Sequence, residues 1–175
     1  MKFIFVTTLL LTSALSAGPG IRASLADDSM KSLDQMKSAK LLNHIHHINQ
    51  MEIKAGKLAK DKGVSADVKN YGQKMISEHQ DADKKLAELA ETKHFKLLGF
   101  APADFEKVEM DYLDHVKGAD FDTAYIEAMK GGHHHALGDL KMAADMTTDP
   151  QIKAFVQTMI PTVQQHEDAA KAIAK

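Results

Sequence analysis

"FDTAYIEAMKGGHHHALGDLKMA", residues 121–143, decides the fold. Phe121, Tyr125, Met129, His133, Ala136, Leu140 and Ala143 recur at steps of three and four, the spacing of a helix that buries one stripe. Two adjacent glycines oppose it, each costing a helix interior roughly 1 kcal/mol relative to alanine. A break at Gly131–Gly132 would leave the histidines in a loop, whereas a helix that runs through places His133 in the seam of a bundle. The periodicity on both sides of the glycines predicts the continuous helix. Gly132 then falls on the bundle-facing side, where it allows close helix approach or a local kink that aims His133 inward. His134 and His135, about 100° and 200° further round, cannot join His133 as one claw and are expected in solvent.

Three other segments repeat the pattern. Over roughly 31–62 the stripe is Leu41, Ile45, Ile48, Glu52, Ala55 and Ala59, with Gly63 as the C-cap. Ser65 caps the second helix, which passes through Val68, Gly72, Met75, His79, Ala82, Leu86 and Leu89 and fades near Thr92. The third, containing the glycine pair, follows Gly118 with Asp120 as its cap. Asp149 and Pro150 open the fourth, through Ile152, Phe155, Met159, Val163, His166, Ala170 and Ile173. Short turns make helices one and two, and helices three and four, antiparallel hairpins.

Between the hairpins, the roughly 27 residues from Lys93 to Ala119 are too many for a turn. Pro102 can open a short helix there, running through Phe105, Val108, Tyr112 and Val116. A connection of that reach lets helices two and three run parallel. The fold class is therefore all-α, a ferritin-like four-helix bundle with a short extra helix in the crossover between helices two and three. An up-and-down bundle with a decorated loop is the alternative.

Lys2, the apolar run Phe3–Leu11 and the small residues Ala14–Ala17 have the layout of a secretory signal peptide, taken as residues 1–26. Cleavage after Ser24-Leu25-Ala26 is favoured over cleavage after Ser16 or Ala17, and an uncleaved anchor is the alternative. The run is too short to span a bilayer. Residues 27–175 then form a single bundle domain, periplasmic or secreted, with no transmembrane segment after cleavage. Losing Lys2 and Arg22 leaves 20 basic against 24 acidic residues, a formal charge near −4. With no basic stripe and few aromatics, nucleic acid is excluded as a partner. The absence of cysteine excludes disulfides and thiolate metal sites.

Each apolar stripe is interrupted by one ionisable residue: Glu52, His79, His133 and His166. Burying such groups apart is costly, so they should find one another. At about 1.5 Å per residue, and with helices two and three parallel, all four fall roughly 15–20 Å from the same bundle end. A carboxylate and three imidazoles from four helices suit copper, zinc, iron or nickel. Met75 and Met129, four residues before His79 and His133, share the faces of those imidazoles and would tilt the preference toward copper; both are also ordinary core fillers. The alternative for the layer is a satisfied polar network that fixes helix register. His44 and His47 share a face with Met51 as a further, accessory copper or zinc patch, or as surface histidines.

Signatures of catalysis are sparse. A carboxylate-bridged di-iron centre needs Glu-x-x-His on two helices, and the match found is Glu91-x-x-His94, at the frayed end of helix two. Nucleophile elbow, phosphate loop and HExxH motifs are absent.

The blocks "HINQMEIKAGKLAKDKGVSADVKNYGQKMISEHQDADKKL" (47–86), "GADFDTAYIEAMKGGHHHAL" (118–137) and "DPQIKAFVQTMIPTVQQHEDAAK" (149–171) resemble, in that order, the bacterial exported family called domain of unknown function 4142, grouped with ferritin-like bundles. The resemblance covers roughly residues 38–174. It implies matching roles for Glu52, for the pair Glu78 and His79, for Phe121, Asp122 and Tyr125, and for His133 and His166. It implies a fold and an envelope location but no activity. Three functions follow as expectations: an exported bundle that binds a transition metal for buffering or envelope stress; a non-metal periplasmic module whose helices dock a protein partner; and an oxidoreductase, which would require an open coordination position.

Overall fold

The computed structural model describes residues 19–175, with side chains from Asp27 onward apart from residues 28 and 29. Residues 1–18 of the expected signal peptide lie outside the described residues. The chain is all-α, with α1 Pro19–Lys62, α2 Ala66–Thr92, α3 Asp104–His115, α4 Ala119–Met146 and α5 Pro150–Ile173. Among the described residues no helix is long and apolar enough to cross a membrane. The bundle proper is Asp34–Lys175; the segment ending at Leu33 forms a separate unit, in which Lys31 pairs with Asp27 one turn earlier.

Capping chemistry sets most helix ends. Ser65 Oγ accepts from Val68 N–H, and Asp149 Oδ1 accepts from Gln151 and Ile152 N–H while Pro150 opens α5. At α4 the cap is Gly118, not Asp120: its φ of 66° lies in the left-handed region that glycine enters without strain. Asp120 sits in the first turn instead. Asp122 accepts from Val64 and Ser65 N–H at 2.9 and 2.7 Å, tying the α1–α2 turn to the start of α4.

The α1–α2 and α4–α5 pairs are antiparallel hairpins. The connection between them travels along α1. Asn43 exchanges hydrogen bonds with Lys96 C=O and Leu98 N–H, His47 meets Glu106, and Lys62 Nζ donates to Leu113 C=O at 3.1 Å. From Asn43 to Lys62 is about 28 Å of helix at 1.5 Å per residue. The crossover thus spans the bundle, and α2 and α4 run parallel, with Tyr71 beside Tyr125 and His79 beside His133 at ring separations of 6.1 and 6.0 Å.

The short helix appears where Pro102 suggested, but its orientation differs from the expectation. Met110 and Leu113 face the core and Val116 packs against it, while Phe105, Val108 and Tyr112 are 66%, 68% and 60% exposed. A helix this short carries two apolar stripes here and buries one. Glu106, held by His47 and by Ala103 N–H, fixes the rotation that turns Met110 inward.

The glycine pair does not break α4, which is continuous from Ala119 to Met146. Nor does Gly132 serve a close helix approach, because a Cβ added at Gly131 or Gly132 would meet nothing within 4 Å. The close approach lies at the α1–α2 crossing. A Cβ at Gly72 would sit 2.7 Å from Ala59 Cβ and 2.8 Å from the backbone oxygen of Gly56. Gly72→Ala is therefore expected to destabilise by about 1–3 kcal/mol through overpacking, although alanine is the better helix former. Gly131→Ala should instead stabilise by about 0.5–1 kcal/mol. Urea midpoints of the two variants check this contrast, and a stabilised Gly72→Ala would refute it.

Candidate metal centre

The buried apolar residues form two clusters. One gathers Ala55 and Ala59, Tyr71 and Met75, Phe121 to Met129, and Ala170. The other gathers Leu42 and Ile45, Leu86 and Ala90, Leu137 to Ala144, and Ile152 to Val163. On every long helix the interrupting residue falls between them: Glu52 on α1, His79 on α2, His133 on α4 and His166 on α5. The fold therefore sandwiches one polar layer between two apolar ones, as the helical spacing anticipated.

His79, His133 and His166 meet there. All three are buried, and one ring nitrogen of each lies within 4.8 Å of one ring nitrogen of each other. Their ring centroids are 6.0, 5.3 and 5.0 Å apart.

The two nitrogens of each imidazole have different surroundings. His79 Nδ1–H donates to Asn49 Oδ1 at 2.9 Å, His133 Nδ1–H to Met129 C=O at 2.8 Å, and His166 Nε2–H to Glu78 Oε2 at 2.6 Å. Those acceptors place the ring proton on the outer nitrogen. The inner nitrogens, His79 Nε2, His133 Nε2 and His166 Nδ1, are buried with no hydrogen-bond partner, and so are Glu52 Oε2 and Tyr125 Oη. Buried polar atoms are rarely left unpaired, and each costs about 1–3 kcal/mol. Five around one layer demand an explanation.

Burial keeps His79 and His166 neutral. Desolvation lowers the His79 pKa to about 4, with the Glu52 charge opposing it and the His166 and His133 charges adding to it. Desolvation likewise lowers His166 to about 3, helped by His133 and Lys74. Tyr71 and Tyr125 are pushed well above the ordinary phenol range, first by burial and then by the negative charge of Glu52. Tyr71 Oη donates to His166 C=O at 3.1 Å and so fixes the backbone that carries the third imidazole.

Glu52 is half-buried and lines the same cleft as His79 and His133. Glu78 engages the outer, not the inner, nitrogen of His166. Met75 and Met129 are buried in the first apolar cluster, and Met129 also supplies the carbonyl that orients His133. His134 and His135 are exposed, with His134 Nδ1 3.0 Å from Glu167. In the His44–His47 group, His46 pairs with Asp83 and His47 with both oxygens of Glu106, while His44 stays exposed. Glu91 and His94 are exposed at the far end of α2, about 18 Å of helix from His79 for Glu91.

Two features near the layer, Asn49 and the Tyr125 hydroxyl, are not signalled by the stripe pattern. Asn49 is fully buried, orients His79 and donates to Asp83 at 3.4 Å; its signal was a position one turn before Glu52 on the same face. Tyr125 stands in the apolar stripe and in the block that carries the family resemblance, but a phenol on an apolar face does not announce an unpaired hydroxyl.

The three histidines could hold a metal ion: they converge on one another, and their far nitrogens are held by acceptors that set tautomer and ring orientation. No curated protein matches the chain. Among solved structures it resembles the crystal structure of a DUF305 fragment from Deinococcus radiodurans, with a TM-score of 0.70, 7% identity, and coverage of 78% of this chain and 94% of that one. At that identity the likeness concerns the fold alone. The family model described as domain of unknown function (DUF4142) matches residues 23–173, beginning upstream of the blocks that suggested it, and the chain belongs to that family.

Proposed function

We propose that this chain is an exported helical bundle that holds one transition-metal ion between His79, His133, His166 and Glu52 and buffers or carries it outside the cytoplasm. The observation that supports this most is that each of the three imidazoles keeps one buried nitrogen without a hydrogen-bond partner, on rings that bring a nitrogen apiece within 4.8 Å of one another. A metal supplies what no group of the protein does, an electron-pair acceptor common to all three, and the Glu52 carboxylate offsets its charge. Nitrogen and oxygen donors suit copper, zinc and iron. Export is supported by the basic start, apolar run and small residues at the N-terminus.

A second reading, a docking module without metal, is favoured by the outward stripe Phe105, Val108 and Tyr112 on α3. It leaves the unpaired nitrogens unexplained.

Untagged protein purified from an exporting cell is expected to carry about one equivalent of metal by elemental analysis. His79→Ala, His133→Ala and His166→Ala should each lose it to a competing chelator, and Glu52→Ala should weaken retention. No stoichiometric metal, together with wild-type binding of added Zn²⁺ by all four variants, would overturn the reading.

A further inference from the structure

The layer opens to solvent through a cleft of about 310 Å³ lined by α1, α3 and α4. Glu52, His79 and His133 line its inner part, and the exposed residues Glu109, His135 and Asp139 line its outer part. The wall carries four carboxylates, from Glu52, Glu106, Glu109 and Asp139, and no lysine or arginine. Gly132 belongs to the same wall, and the space where its Cβ would stand is open.

The geometry points to this cleft as the route by which a divalent cation reaches the imidazoles, with Glu109, His135 and Asp139 capturing it at the mouth. The inference rests on the metal reading above and adds the path to it. A cleft of one charge sign between low-dielectric walls concentrates counter-ions and speeds their arrival. At its floor wait the unpartnered Nε2 atoms of His79 and His133, both nine-tenths or more buried, so that the attraction leads to ligands and not to a blind end. Gly132 acquires a purpose here. Alanine would make a better helix, but a side chain here would start from the wall of the passage, at a position with open space around it. On the opposite side, a cleft of about 270 Å³ between α2 and α5 also reaches His79 and His166. Lys85 lies in its wall, and Glu78 there occupies the outer nitrogen of His166. That side is less attractive to a cation and offers a nitrogen already engaged.

Stopped-flow loading with Co²⁺, whose visible absorption reports coordination, separates path from site. The double variant Glu109→Gln, Asp139→Asn is expected to load at least about fivefold more slowly than wild type at low ionic strength, and the difference should shrink in high salt. Gly132→Phe should slow loading at any ionic strength. Both should reach the wild-type final spectrum, while Thr162→Phe, placed in the opposite cleft, should load at the wild-type rate. If Gly132→Phe fails to fold, the double variant, which changes only exposed side chains, decides alone. Unchanged rates in the α1–α4 variants, or slowing confined to Thr162→Phe, would overturn the path and leave the metal site standing. A wild-type protein that shows no Co²⁺ spectrum would overturn both.

Discussion

Acidifying the metal-free protein from pH 7 to pH 4 is expected to remove several kcal/mol of folding stability through the histidine layer alone. His79 and His166 have folded pKa values of about 4 and about 3, both below the unfolded value of 6.5. Above pH 6.5 neither state binds these protons, and the contribution to stability is complete. As pH falls below 6.5 the unfolded chain takes up protons that the folded protein refuses, so stability drops by about 1.4 kcal/mol per pH unit for each histidine. The loss from His79 levels off near pH 4, after roughly 3 kcal/mol, and that from His166 continues to about pH 3. Losses of this size rival the whole stability of many small domains. Urea unfolding at a series of pH values measures the slope, and the ring-proton NMR signals of His79 and His166 should stay still between pH 7 and 5. Signals that titrate near 6.5 would show that the layer is hydrated and would remove the physical basis for a site of dry, neutral ligands.

The sequence carried much of this arrangement because a long helix is a ruler. Steps of three and four fix which residues share a face, and a rise of about 1.5 Å per residue fixes their depth. That rise and those steps put His79, His133 and His166 in one layer. Parallel α2 and α4 followed from a connection too long to be a turn. What the ruler cannot give is rotation where two apolar stripes compete. On α3, Met110 and Leu113 face the core and Phe105, Val108 and Tyr112 do not, with Glu106 on the same helix bonded to His47 of α1, a contact that no periodicity within α3 announces. Nor does it reveal what an atom lacks. Gly132, on the face expected for a close helix approach, borders open space, and Tyr125, in the stripe and in the family-like block, holds an unpaired hydroxyl. Both facts belong to the gaps between helices, which depend on every side chain around them at once.

His133→Leu is expected to make the metal-free protein more stable by about 1–3 kcal/mol while weakening metal binding by more than the roughly 10–100-fold that losing an outer-shell partner costs. His133 is the informative choice because its outer nitrogen leans on Met129 C=O, which keeps its own helical hydrogen bond when the ring is gone. Leucine is close to histidine in volume, so the substitution removes an unpaired buried nitrogen without opening a large cavity. By contrast, removing His79 would strand the Oδ1 of the buried Asn49, which would keep only its donation to Asp83. The substitution also removes the coulombic influence of His133 that helps desolvation lower the other two histidines, so their folded pKa values should rise toward 6.5 and the acid-induced loss should shrink from its low-pH end. The two readings of the layer part here. A polar network kept for helix register loses stability when a member is deleted, because its partners are stranded. A ligand set assembled for a metal is strained without it, and the protein gains stability when one ligand is replaced by hydrocarbon. Thermal melts with and without chelator, alongside Zn²⁺ titration of wild type and variant, give both numbers. A destabilised His133→Leu that binds Zn²⁺ like wild type would assign the layer to architecture.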